Sequence, residues 1–515
     1  MYQWITGIPE EVGISSASVC SCLDELQEKG IPMHSFLLWK DGKLVTEGYY
    51  SPCEKDELHR LFSVTKSFVS VAVGVLCDRG IIRLDDPIVS WFPEYLPPTV
   101  HPWLAETTIR DMLMMRSCYS STTYKKDLTA NWVESFFTSE PDHKPGTVFH
   151  YDTSASHTLC ALVEKLTGMK LLDFLREVCL DELGFSRDAY VLEDPFGTSM
   201  GGSGLMASSR DFLLFALLVM HRGQLNGKQY LPSWYLHEAT TNQVATCVKG
   251  PIPAECCGYG YQFWRGEHDS IVCYGMGGQL AIMLPQFDFI CVTTADTQGY
   301  GGGNQVIYDT LFRHLLPQLT RQTAAEPVTA QKSVTAQKPV TAAMPVSASE
   351  SFADCASLSA PSASLASRLC SLAIQPLDAS LDDAQRIASR YAGQQNRSFS
   401  IVSPGTDFEA LTFSFSSADS GCLTYVLHGQ QCSLPFGIGT MKVGTFPLYQ
   451  MKCAVSGTWL SDDCLYLKVH LLDTSVGSIH IQTYFGEDDV TVFMRKQEET
   501  LFHEYSGHLY GKRIK

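Results

Sequence analysis

The sequence predicts an α+β chain in which helices and an antiparallel sheet share the first part and strands dominate the last. Three observations carry that expectation. A run with apolar residues at helical spacing opens at Ser63, short β-rich segments meet at Gly or Asp-Gly turns, and a hexapeptide repeat poor in aromatic residues separates the two patterns.

Taken in order, Ser35 to Val45 (SFLLWKDGKLV) has the apolar–Asp-Gly–apolar form of a β-hairpin. Ser63 to Cys77 (SVTKSFVSVAVGVLC) reads as a helix, as do Ser156 to Thr167, stopped by Gly168, and Ser209 to His221. Ile271 to Cys273 and Phe287 to Thr294 read as strands around a Gly-rich turn, and Tyr300 to Asn304 (YGGGN) as a turn before a further helix. Between about Arg321 and Arg368 the chain repeats PVTAQK, SVTAQK, PVTAAM and PVSASE, units too short and polar for a solenoid, so a flexible linker is expected. A short helix near Asp382 to Tyr391 then precedes alternating runs at Leu411 to Phe415, Leu465 to Leu471, Ile479 to Tyr484 and Val490 to Met494. The expected division is 1–320, a disordered repeat linker 321–372, and a mostly-β unit 373–515.

Composition narrows the partners. Lys+Arg number 38 against 55 Asp+Glu, a net charge of −17 over 515 residues, so the chain has no basic field for a phosphate backbone or an anionic membrane. The longest apolar run, Phe212 to Met220, is too short to span a bilayer, and the first residues lack the pattern of an export signal, so a cytoplasmic location is expected. The 18 cysteines show no C-x-x-C pair and are expected as reduced thiols packed like small apolar residues. His143, His150 and His157 recur every seven residues without a Cys or carboxylate set to complete a metal site, and YGGGN lacks the Lys and Ser/Thr of a phosphate loop. No metal and no cofactor are expected.

The chemistry lies at Ser63-Val64-Thr65-Lys66. On a helix, residues i and i+3 share a face about 5 to 6 Å apart, so the hydroxyl and the ammonium can meet. Free amides at the helix start stabilise an oxyanion, and burial disfavours a lysine's charge, so Lys66 can act as a proton acceptor. The spacing alone fits equally a serine that caps a helix beside a solvated lysine.

Further segments in order resolve this. RLFSVTKSF, IIRLDDPIVSWFPEYLP, TTIRDMLMMRS, PGTVFHYDTSASHTLCALVEKLTG, MGGSGLMASSRDFLLFALLVMHRGQLNGKQYLPSWY and YGMGGQ follow one another between about Ser35 and Leu316. This stretch resembles the serine β-lactamase-like hydrolases: class C β-lactamases, D-alanyl-D-alanine carboxypeptidases and related esterases and amide hydrolases. The resemblance implies a β-lactamase/transpeptidase-like domain, an antiparallel sheet flanked by helices plus a helical lobe, with the site between them. It assigns Ser63 as nucleophile, Lys66 as its proton partner and Tyr151 as the second base, whose phenol an adjacent ammonium would lower. It implies an oxyanion hole from the amides of Ser63 and Gln279, after Gly277 and Gly278, with Tyr259 to Trp264 (YGYQFW) walling the cleft. Two positions depart from the family: Thr153 stands where an Asn is usual, and Met276 where a Lys or His binds a substrate carboxylate. A thioether cannot pair with an anion, so a small neutral ester or amide is the expected substrate unless Arg210 or Lys249 supplies the cation. The alternatives are a D-amino-acid peptidase or β-lactamase-type activity, and a binding or sensor module that has lost turnover.

Overall fold

The computed structural model describes residues 1–246, 252–320, 360–379, 387 and 396–514. After helix α1 (Ser16–Glu28) come strands β1 (Met33–Lys40) and β2 (Lys43–Tyr49), joined at Asp41 and Gly42, with φ 47° and 84°. Two successive positive φ values are what a tight two-residue hairpin turn requires, which is why the pair is Asp-Gly. Helices α2 (Thr65–Asp78), α3 (Thr153–Thr167) and α4 (Ser209–Met220) follow, then β3 (Trp264–Arg265), β4 (Ile271–Gly275), β5 (Gln279–Leu284), β6 (Phe289–Ala295) and α5 (Gln305–His314). The sheet order is β2-β1-β6-β5-β4-β3, antiparallel throughout, with Leu38 facing Cys291 on one side and Thr46 on the other.

Both faces of this sheet are covered. Phe36, Leu38, Leu280 and Ile282 pack with Val19 and Leu23 of α1 and Ile307 and Leu311 of α5. Their alternating neighbours Leu37, Trp39, Ala281 and Met283 pack with α2, α3 and α4. A strand buried on both faces carries adjacent rather than alternating apolar residues, as Phe36 to Trp39 of β1 and Phe289 to Val292 of β6 do. The helix starts are explicit: the Asp152 carboxylate accepts from Ser154 N at 2.8 Å and Ala155 N at 3.2 Å, and Ser208 with Asp211 forms a capping box for α4. Cys22, Cys118, Cys160, Cys273 and Cys291 are buried free thiols.

The expected linker is corrected at its far end. Ala360–Cys370 is a helix, α6, and Leu365, Leu372 and Ile374 are buried in the same core as α1 and β1. Arg368 fixes it to Asp24 at 2.8 Å and Gln27 at 2.7 Å, and Ser51 and Ile374 bond through their backbones. The repeat itself, and the helix expected near 382–391 apart from Ile387, lie outside the described residues.

The last unit is a barrel. Ten strands follow: β7 (Arg397–Ile401), β8 (Phe408–Ser417), β9 (Ser420–Leu427), β10 (Gln430–Ile438), β11 (Lys442–Phe446), β12 (Met451–Ser461), β13 (Cys464–Leu472), β14 (Val476–Phe485), β15 (Asp489–Gln497) and β16 (Gly507–Arg513). They pair in the order β10-β9-β8-β7-β16-β15-β14-β13-β12-β11, and a parallel β10–β12 contact closes the ring. Phe399, Phe413, Leu423, Leu467, Val469 and Ile481 fill its interior. Ala454 and Leu472 instead join the core beneath α1, so the two parts of the chain share buried surface. No helix of the described residues is long and apolar enough to cross a membrane.

Candidate active site

Ser63 lies in a 3-10 turn, Phe62–Val64, immediately before α2. Phe62 ahead of it has φ 47°, unusual for a bulky residue. Thr65 holds it there: its hydroxyl donates to the Phe62 carbonyl at 2.6 Å and accepts from Leu205 N at 3.0 Å. No side chain caps α2. The Ser63 hydroxyl is thus not spent on helix amides; Lys66 Nζ donates to its Oγ at 3.0 Å.

Lys66 is buried, and its Nζ also donates to the Gly202 carbonyl at 2.6 Å. Burial brings its pKa down to about 7, against the pull of Asp152 and with a smaller push from Lys125. Tyr151, just before α3, stacks on Trp264 (centroids 5.6 Å) and meets Tyr259 edge-on at 6.3 Å. The expectation that the ammonium lowers this phenol is not met. Lys66 Nζ sits over the ring, 4.8 Å from its centre, and burial holds the phenol above its ordinary value. A hydrogen bond with Ser63 opposes that rise, and the Glu255 charge adds to it. The Trp264 indole N–H also favours the phenolate while falling outside hydrogen-bond geometry.

Thr153 opens α3, and its methyl packs on Gly202, where a Cβ would come within 2.2 Å of it. Thr153 thus braces the loop whose carbonyl holds Lys66. Across the site, Met276, Gly277 and Gly278 form the β4–β5 hairpin tip. Gly277 and Gly278 have φ 82° and 96°, and a Cβ on Gly278 would stand 2.9 Å from Ala295 and Ile307. Glycine is required there by both backbone and space. The Gln279 side chain is fully buried and clamps the next strand, accepting from Ala295 N at 3.0 Å and donating to Ala295 O at 3.0 Å and Met276 O at 2.6 Å. Strand β4 runs against the Ser63 turn, the Leu61 carbonyl lying 2.3 Å from a Cβ built on Gly275. The sequence-predicted residues are therefore gathered on three elements around Ser63. Arg210 is bound to Glu47 through two 2.7 Å hydrogen bonds, and Lys249 lies outside the described residues. Of the three spaced histidines, His157 pairs with Asp194 at 3.0 Å, and the His143 and His150 rings lie tilted to one another with centroids 5.1 Å apart.

The sequence profile of the family described as Beta-lactamase matches residues 20–308, more than half of the chain. The chain belongs to the Beta-lactamase family. A 6-aminohexanoate-dimer hydrolase of Paenarthrobacter ureafaciens is 24% identical over 280 residues, covering 50% of this chain and 71% of that protein. Esterase EstB of Burkholderia gladioli is 28% identical over 165 residues, covering 28% of this chain and 41% of the esterase. Among solved structures, a Bacillus anthracis protein described as a candidate 6-aminohexanoate-dimer hydrolase superposes with a TM-score of 0.50 at 19% identity, covering 61% of this chain and 86% of that one. The mixed sheet-and-helix part is thus the fold of this family, with the barrel added after it.

Several residues of this family member escape a reading of motifs. The Gly202 carbonyl contributes through its backbone, and only the Gly201-Gly202 pair before a short strand hinted at it. Gln262 is buried and ties the lobe together, with Ser67 donating to its carbonyl at 2.8 Å and Ser156 to its side chain at 2.8 Å. The barrel reaches the rim as well: Arg60 Nη1 donates to Thr474 O and Gln298 Nε2 to Val476 O, both at 2.7 Å. Those contacts place the β13–β14 turn beside the strand that leads to Ser63 and the loop behind Gly277, and no local pattern announces them.

Proposed function

We propose that the chain is a serine hydrolase that forms an acyl-enzyme on Ser63 and releases it to water, acting on a small ester or amide. The observation that carries this is a buried Lys66 amine 3.0 Å from the Ser63 hydroxyl, its pKa brought to about 7. Near neutral pH about half the molecules hold that amine uncharged, ready to take the serine proton as Oγ attacks the substrate carbonyl. The amides of Ser63 and Gln279 would receive the oxyanion. Tyr151, kept as a neutral phenol by burial, donates its proton to the leaving group and regains one from the Lys66 ammonium, the Ser63 oxygen lying between them. Water then attacks the ester and the transfers reverse. With Met276 at the hairpin tip and Arg210 engaged by Glu47, neither of these positions offers a substrate carboxylate a cation, which favours substrates uncharged at that point.

The test is a fluorophosphonate probe with intact-protein mass measurement. A single adduct on the wild type, lost in Ser63→Ala, is expected. Labelling that persists in Ser63→Ala would overturn the assignment.

A further inference from the structure

Glu255 is a half-buried carboxylate whose side chain bonds one group, the Tyr274 hydroxyl, at 2.5 Å. Among the described residues no Lys, Arg or His pairs with it. Tyr274, which it bonds, lies 5.7 Å from Trp264, and Trp264 lies 5.6 Å from Tyr151, so Glu255 stands on the wall that holds the proposed proton donor, and its charge disfavours the Tyr151 phenolate. The same wall is aromatic. Trp264 lies 5.6 Å from Tyr151, 5.7 Å from Tyr274 and 5.0 Å from Tyr259, centroid to centroid, and Phe149 closes the group at 5.9 Å from Trp264. Trp264 is only 8% exposed, and its indole nitrogen has no hydrogen-bond partner among the described residues.

A carboxylate with no ion-pair partner among the described residues, bonded to a tyrosine hydroxyl at the edge of an aromatic cluster, is the chemistry that recognises an alkylammonium. A partly dehydrated anion is costly until a cation joins it, and ring quadrupoles add to the attraction. The net charge of −17 draws cations toward the molecule. Tyr151 gives its proton to the departing group, so the wall it belongs to faces the leaving-group side of the substrate.

Building on the hydrolase reading, we propose that Glu255 and the Tyr151–Trp264–Tyr274 wall bind an ammonium carried by the leaving group of the ester or amide substrate. The bound cation would also offset the Glu255 charge that opposes a Tyr151 phenolate, so binding and proton donation favour each other.

Two measurements test this. The first compares kcat/KM for the choline ester of butyric acid with that for 3,3-dimethylbutyl butyrate, in which carbon replaces nitrogen. The cationic ester is expected to be preferred at least tenfold, with the preference falling below threefold in Glu255→Gln. Turnover of both esters at equal kcat/KM, or a preference unchanged in Glu255→Gln, overturns the ammonium site and leaves the hydrolase reading standing. The second is calorimetric binding of benzyltrimethylammonium to the Ser63→Ala protein, which needs no turnover; binding weakened at least tenfold by adding Glu255→Gln supports the site, and no binding overturns it. Binding of the ammonium with no hydrolysis of either ester and no probe labelling of Ser63 sinks the hydrolase reading alone.

Discussion

If the neutral Lys66 amine is the base, the rate follows its titration. A drop from 10.5 to about 7 is about 5 kcal/mol in favour of the uncharged form, a reasonable scale for an amine cut off from water. At pH 6 only about a tenth of the molecules carry the free amine, and at pH 8 about nine-tenths. The value of kcat/KM on a short-chain p-nitrophenyl ester should therefore rise about tenfold between those values and level off above. Lys66→Arg keeps its charge throughout and should lose about 10³ in kcat with no inflection near 7. Asp152, buried and raised to about 6 mainly by burial, titrates close by and its charge pulls the Lys66 pKa up; Asp152→Asn should therefore keep a single inflection but move it below 7. The unfolded chain holds the lysine proton up to 10.5 and the folded chain only to about 7. The cost to stability is thus full below pH 7, shrinks as pH rises, and is gone above 10.5. Lys66→Met should accordingly raise Tm more at pH 6 than at pH 9. A flat profile from pH 6 to 9, or a midpoint near 10, would refute the reasoning.

Other outcomes follow from single contacts. Met276→Lys supplies a charge-assisted hydrogen bond of about 1.5 to 3 kcal/mol, and should improve kcat/KM on nitrocefin about ten- to a hundredfold while harming neutral esters; efficient nitrocefin turnover by the wild type would contradict the neutral-substrate reading. Gly202→Ala would push its Cβ to 2.2 Å from the Thr153 methyl and shift the carbonyl that holds Lys66, so steady-state kinetics should show kcat down at least about tenfold. Gly74→Ala places a methyl 2.3 Å from the buried Tyr235 ring, and thermal melting should show a loss of about 1 to 3 kcal/mol or more with the site chemistry unaltered.

Motif order made Ser63, Lys66, Tyr151 and the glycine hairpin legible, because each depends on local spacing or on the missing side chains of Gly277 and Gly278. Strands of the barrel were legible too, since the alternation in β15 follows from one buried face. What stayed hidden depends on distant packing. Helix α6 is rich in Ala and Ser, yet Leu365, Leu369 and Leu372 repeat at three to four residues and find a partner in α1 and β2. Barrel closure rests on a parallel pairing of Gly437 with Ser456, which strand composition does not encode. The state of Tyr151 was misjudged because proximity to Lys66 says nothing of which part of the ring the ammonium meets, and burial outweighs it.

The bond from Arg60 to the Thr474 carbonyl joins positions 414 apart in the chain. Contacts so distant in sequence are slow to form, because a long loop must close before they contribute. During synthesis, residues 1–320 emerge with Ser63, Lys66 and Tyr151 all present but with Arg60 lacking this acceptor. The strand that leads to Ser63 thus completes its contacts late, when the carboxy-terminal strands have closed, and on refolding probe labelling of Ser63 should lag the return of helical signal.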